Sequence, residues 1–161
     1  IAREIACPRP AHHLLFLPGT ANLIAASDLA WVAACNIEIG DWIWRDSPVT
    51  TIGGLSAAVN GEPVALACFS DGVRAYHADG KHWNLPGTLP ACRSIAVSHD
   101  GKLMVTGQLD GLLAAHSLDL KPRFSYRPEA PVIAMALSAP AGHLYLAQTD
   151  RTVTCVRLPA P

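Results

Sequence analysis

The residue types that could do chemistry are present, but their spacing assembles little. Seven histidines, His12, His13, His77, His82, His99, His116 and His143, could act as acid–base groups or metal ligands. None stands four residues from another with a glutamate between, the arrangement that puts two imidazoles on one helical face around a metal. His99 falls in a predicted turn and reads as solvated, and His116 reads as packed. Five cysteines, Cys7, Cys35, Cys68, Cys92 and Cys155, form no Cys-x-x-Cys pair, so they read as small buried apolar side chains and not as a disulfide framework or zinc site. A Gly-x-Ser-x-Gly elbow is missing and no cysteine carries a local protease signature. The sequence therefore nominates no catalytic residue, no metal ligand and no cofactor-binding residue.

One stretch does look like a ligand loop. Residues 98–111 read SHDGKLMVTGQLDG, with two Asp-Gly pairs around an apolar run. A phosphate loop needs a helix N-terminus after its glycines, whereas GQLDGLL leads into another strand pattern. A calcium loop of the EF-hand type needs several oxygen ligands at alternate positions, and each Asp-Gly segment offers a single carboxylate. The remaining reading is a β-strand, KLMVTG, between two hairpin turns, with Asp100 and Gly101 in the first and Asp110 in the second. The aspartate recurs as Asp28, Asp71, Asp110 and Asp150, at intervals of about forty residues. Its expected role is to cap a tight turn through a side-chain bond to the backbone.

The elements that carry these turns repeat with them. LLFLPGTANLIAASDLAWVAAC, LSAAVNGEPVALACFSDGVRAYH, IAVSHDGKLMVTGQLDGLLAAH and AMALSAPAGHLYLAQTDRTVTCV each read as strand, turn, strand, Asp turn, strand. Their apolar runs are short and bounded by turn residues, which favours strands. Thirteen prolines and twelve glycines leave no room for a long helix. DWIWRDSPV, KHWNLPGTL and PRFSYRPEA follow the first three units as predicted outer strands. The last unit ends without one, and IAREIAC, residues 1–7, is expected to supply it. This gives one domain over 1–161, with units at 12–49, 50–90, 91–130, and 131–161 joined by 1–7.

The third unit, SIAVSHDGKLMVTGQLDGLLAAHSLD, resembles a WD40-type repeat in its Ser-x-Asp-Gly turn, its Thr-Gly strand ending and its Asp turn. The other three units are similar but degraded. The Trp-Asp dipeptide that names the family is missing: His116-Ser117 stands in its place, so the resemblance is to divergent, bacterial-type WD40-like repeats. It implies an all-β propeller of four-stranded antiparallel blades, about four in this chain. The N-terminal strand would close the last blade, or the blades would form part of a larger ring. That ring could be completed by a second copy, by further blades of a longer protein or by another chain, and Ile1 in place of Met reads as the start of a processed product or a piece of something longer. The resemblance further implies that peptides are received at the turns entering first strands and linking second to third, where Arg93, Asp71, Asp110, Asp150 and Arg151 fall.

Twelve Lys plus Arg against thirteen Asp plus Glu, a formal charge of −1, provide no basic field for nucleic acid or an anionic membrane. Neither an apolar run long enough to span a bilayer nor a leader pattern is visible, so the expected setting is the cytoplasm. Trp42 and Trp44, Trp83, and Phe124 with Tyr126 sit on predicted outer strands, the paired ones at alternate positions and hence on one face. They read as packing between neighbouring blades, or, with Arg45 and Arg127, as part of a binding surface. The leading expectation is a non-catalytic module that binds a protein or peptide and needs no cofactor. One alternative is an enzyme or ligand-binding propeller whose site lies in the central channel. The other is a structural half-ring that completes an eight-bladed propeller by dimerisation.

Overall fold

The computed structural model describes residues 4–139 and 142–159. Four antiparallel sheets follow one another along the chain, and no helix occurs among the described residues. The first sheet holds β1 (His13–Phe16), β2 (Asn22–Ser27), β3 (Trp31–Asn36) and β4 (Asp41–Asp46), and the second holds β5 (Ile52–Ala57), β6 (Val64–Cys68) and β7 (Gly72–Tyr76). β8 (Cys92–Val97), β9 (Leu103–Gln108), β10 (Leu113–Ser117) and β11 (Pro122–Tyr126) make the third. The fourth contains β12 (Val132–Leu137), β13 (His143–Gln148) and β14 (Val153–Arg157).

Hairpin chemistry places these strands. The second hairpin of each sheet closes at Ser27–Trp31, Cys68–Gly72, Gly107–Leu113 and Ala147–Val153. Each contains or borders a residue with positive φ: Ala30, Gly72, Gly111 and Arg151. Gly72 is required twice over, because its φ is 73° and a Cβ there would stand 2.1 Å from the Leu89 carbonyl oxygen.

Packing then uses both faces of the inner strands. Ile24, Ala26, Val32 and Ala34 of the first sheet meet Ile52, Val64, Leu66 and Tyr76 of the second. The opposite face of the second sheet, Ala65, Ala67 and Val73, meets Ile95, Val97 and Met104 of the third. Val105, Leu113 and Ala115 in turn meet Leu144, Leu146 and Leu158. A strand such as β6, VALAC, is buried along its whole length because even and odd residues serve different interfaces, which is why its sequence is a continuous apolar run. Each fully buried leucine or valine there stabilises the fold by roughly 1.5–3 kcal/mol.

Three expectations need correction. The predicted outer strand of the second unit does not form: after β7 the chain makes only an isolated bridge, Tyr76 to His82, and the Trp83 amide bonds to the Ala75 carbonyl. Pro86 and Pro90 cannot donate to a ladder, and Leu85 and Leu89 pack against the second core instead. The fourth sheet likewise has three strands. Residues 4–7 of the expected closing strand are not in a strand, and 1–3 lie outside the described residues. Cys7 lies close to Cys35 of the first sheet, and the Arg9 guanidinium donates to the Leu29 carbonyl, so this segment follows the first sheet and not β14.

The third correction concerns Trp42 and Trp44. A β-bulge pairs Ala34 with Trp44 but Cys35 with Trp42, leaving Ile43 as the extra residue. One inserted residue flips the faces beyond it. Trp42 therefore packs edge-on against Trp31 on the outer face, while Trp44 stacks on Tyr76 in the first core. On β11 the irregularity falls before Phe124, so Phe124 and Tyr126 do share a face and pack against the third core.

Candidate functional site

β1, β5, β8 and β12 all begin beside the second hairpins of their sheets. At that end a cavity of about 230 Å³ is walled by all four sheets, through His13 and Asp28, Gly53 and Phe69, Arg93, and Ile133. A second, of about 320 Å³, lies between the third and fourth sheets, with Asp110, Arg127, Glu129 and Val132 on its walls. Arg93 borders both.

The turn aspartates at this end are locally occupied. Asp110 accepts from the Leu112 amide at 3.0 Å and from Arg127, whose two guanidinium nitrogens reach its carboxylate at 2.9 Å and its carbonyl at 2.6 Å. The Leu112 bond first, and Arg127 second, hold its pKa below the usual carboxylate value. Asp71 accepts from the Ser70 hydroxyl and from two Arg74 nitrogens at 2.8 and 2.6 Å, which lower its pKa in that order. Asp150 is held by the hydroxyl and amide of Thr152. Asp100, at the opposite end of β9, is held by the Ser98 hydroxyl and the Lys102 amide, next to Gly101. Asp28 differs: its carboxylate faces His13 at 2.9 Å and His12 at 3.6 Å. Of the four repeated aspartates, Asp28 borders one cavity, Asp110 the other, and Asp71 and Asp150 neither. They are brought to no common point.

Arg93 is set apart by its place on the shared wall of the two cavities. It is exposed and forms no ion pair among the described residues, while Arg74 and Arg127 are each committed to a carboxylate. Its placement depends on Gly53, where a Cβ would stand 2.5 Å from the Arg93 carbonyl and 2.6 Å from the Phe69 ring. β5 can thus press directly onto β8. Beside it, the Ser94 hydroxyl is buried without a hydrogen-bond partner among the described residues.

The other nominated residues are dispersed. Arg151 lies in the last hairpin with φ 71° and borders neither cavity. Trp44 donates to the Ala78 carbonyl at 2.9 Å, and Trp83 stacks on His77 at 4.5 Å. Trp42 and Tyr126 are half-buried in packing contacts, and Arg45 is exposed on β4. Sequence reasoning passed over His13, Gly53, Phe69 and Ile133. The Gly53-Gly54 pair at the start of β5 was the available signal, since paired glycines in a strand mark a close backbone approach.

Burial pushes the Cys68 thiol up to about 12 and the Cys92 thiol up to about 11, and raises Cys35 as well, leaving them inert as thiolates. Cys7 and Cys155 are exposed, contrary to the expectation that all five would be buried. Among the described residues no three His, Cys, Asp or Glu side chains group to hold a metal ion, and no helix is long and apolar enough to cross a membrane. No protein-family model matches the chain, and no curated protein matches it.

Proposed function

We propose that the four sheets are blades of a WD40-like β-propeller and that the module is non-catalytic, binding a protein or peptide at the end where β1, β5, β8 and β12 begin. The repeat supports the blade reading: consecutive sheets use equivalent registers, and all four contribute to one cavity. The observation that carries the binding reading is Arg93, an exposed cation with no ion-pair partner among the described residues, on the shared wall of two cavities whose other lining includes Phe69, Leu109, Val132 and Ile133. Such a wall suits an acidic side chain flanked by apolar ones. Five unpaired cysteines fit a reducing, cytoplasmic setting.

Selection of a random peptide library on the purified protein tests this. Enriched peptides carry Asp or Glu beside apolar residues, and Arg93→Glu weakens their binding at least about tenfold, the effect of losing one charge-assisted hydrogen bond. Arg45→Glu on β4 leaves it unchanged. Binding that ignores Arg93 and depends on Arg45 would move the site to the outer strands.

A further inference from the structure

The sheets bring different side chains to one cavity by repeating one backbone irregularity. Gly53 of β5, Arg93 of β8 and Ile133 of β12 are each the extra residue of a β-bulge near the start of the strand, and all three line the cavity of about 230 Å³. A bulge takes its extra residue out of the regular alternation and re-aims its side chain. β1 starts the same way: His13 stands opposite Ala26, and the His12 amide donates to the Ala26 carbonyl at 2.9 Å. His12 therefore holds the equivalent place in the first sheet.

In the first sheet that place fixes an anion. His12 Nδ1 accepts the Asp28 amide at 3.2 Å. His13 Nε2 lies 2.9 Å from Asp28 Oδ1, where it donates because an ionised carboxylate only accepts. A ring nitrogen that accepts an amide carries no proton, so His12 brings no positive charge to Asp28. No Lys or Arg side chain pairs with Asp28 among the described residues, whereas Asp71 and Asp110 each hold an arginine. The nearby Arg9 guanidinium is bonded to the Leu29 carbonyl. The charged groups on the cavity wall are thus Asp28 from the first sheet, with His13 bonded to it, and Arg93 from the third, and the second sheet packs between those two sheets.

We infer that this cavity takes a segment carrying both an acidic and a basic group, the acidic group on Arg93 and the basic group on Asp28, with the apolar part of the segment against Phe69 and Ile133. An acidic peptide without a cation satisfies Arg93 but meets the Asp28 carboxylate uncompensated, so the wall selects against it. Gly53, on the sheet between the two charges, brings no side chain into the space. The basic group is a lysine or arginine side chain or the terminal amine of the segment, each of which offers the charged N–H donors that a carboxylate takes. The inference rests on the peptide reading of the same cavity and adds the second charge to it.

Selection of a random peptide library in parallel on the 161-residue chain, on Asp28→Asn and on Asp28→Glu tests it. Asn keeps an oxygen for His13 and removes one charge, and Glu keeps the charge; a circular-dichroism melt checks that both fold. On the parent and on Asp28→Glu, the enriched peptides carry Asp or Glu together with Lys, Arg or a required free amino terminus. On Asp28→Asn the acid stays enriched and the cation does not. In fluorescence anisotropy with one peptide selected on the parent, its lysine or arginine is replaced by glutamine, or its terminal amine acetylated, whichever supplies the cation. That change weakens binding to the parent about tenfold and to Asp28→Asn by less than about twofold. Equal losses on the two proteins overturn the inference, because the cation is then read elsewhere. A parent selection without an enriched cation overturns it with no variant needed. Peptides that need Arg93 and are indifferent to Asp28 overturn it and leave the peptide reading standing, whereas binding that ignores both residues overturns the two together.

Discussion

Replacing Tyr76 by Phe removes one oxygen from the tie between the first two sheets. Tyr76 ends β7 fully buried, and its hydroxyl donates to Asp46 Oδ2 of β4 at 2.8 Å. Its ring stacks on Trp44 at 5.4 Å, and the Trp44 indole bonds back across to the Ala78 carbonyl. The hydrogen bond is charge-assisted and shielded, so its loss costs about 1.5–3 kcal/mol, while the stacking survives. Asp46 keeps the Ser47 amide at 2.7 Å and has His82 at 3.5 Å, which holds the cost to that range. Urea unfolding of Tyr76→Phe should show a lower midpoint at unchanged m-value. The same tie carries a pH signature. Burial first, and Asp46 second, raise the Tyr76 pKa, so this contribution is complete below the unfolded tyrosine value of about 10 and declines above it. A loss below about 0.5 kcal/mol would refute the view that this bond joins the two sheets.

Other substitutions probe the remaining joints. Leu66→Ala, at a fully buried position in the first core, should cost about 2–5 kcal/mol by chemical denaturation. Gly72→Ala meets both a φ of 73° and the Leu89 carbonyl, and should lower stability by at least about 1–3 kcal/mol in the same assay. His116 is buried with no complete hydrogen bond at either ring nitrogen, although the Leu120 backbone partly offsets the lowering of its pKa by burial. Its contribution is present above the unfolded histidine pKa of about 6.5 and is lost as pH falls through the lower folded value. His116→Phe should therefore unfold at lower pH than the parent in an acid titration followed by circular dichroism.

The hairpins were legible because their chemistry is local. Asp110 with Gly111 and Asp150 with Arg151 mark the tips of the last two second hairpins, and the repeat spacing follows from them. Equivalence among the aspartates was not legible: Asp28 precedes the centre of its hairpin and Asp71 follows its own, so their side chains find different partners. The faces of Trp42 and Trp44 hinged on a single bulge opposite Ala34 and Cys35, which alternation alone does not reveal. The missing outer strand after β7 reflects tertiary competition, as the second core draws Leu85 and Leu89 away from the sheet edge. Arg93, Gly53, Phe69 and Ile133 are brought to one cavity by three separate sheets, and no local pattern connects them.

The proposed partner binding centres on the end where the sheets converge. Hydrogen exchange read by mass spectrometry, with and without a saturating selected peptide, tests that directly. Protection confined to the segments around Gly53, Phe69, Arg93, Asp110 and Val132 is the predicted footprint. Protection along β4 and β11, with those segments unchanged, would contradict it.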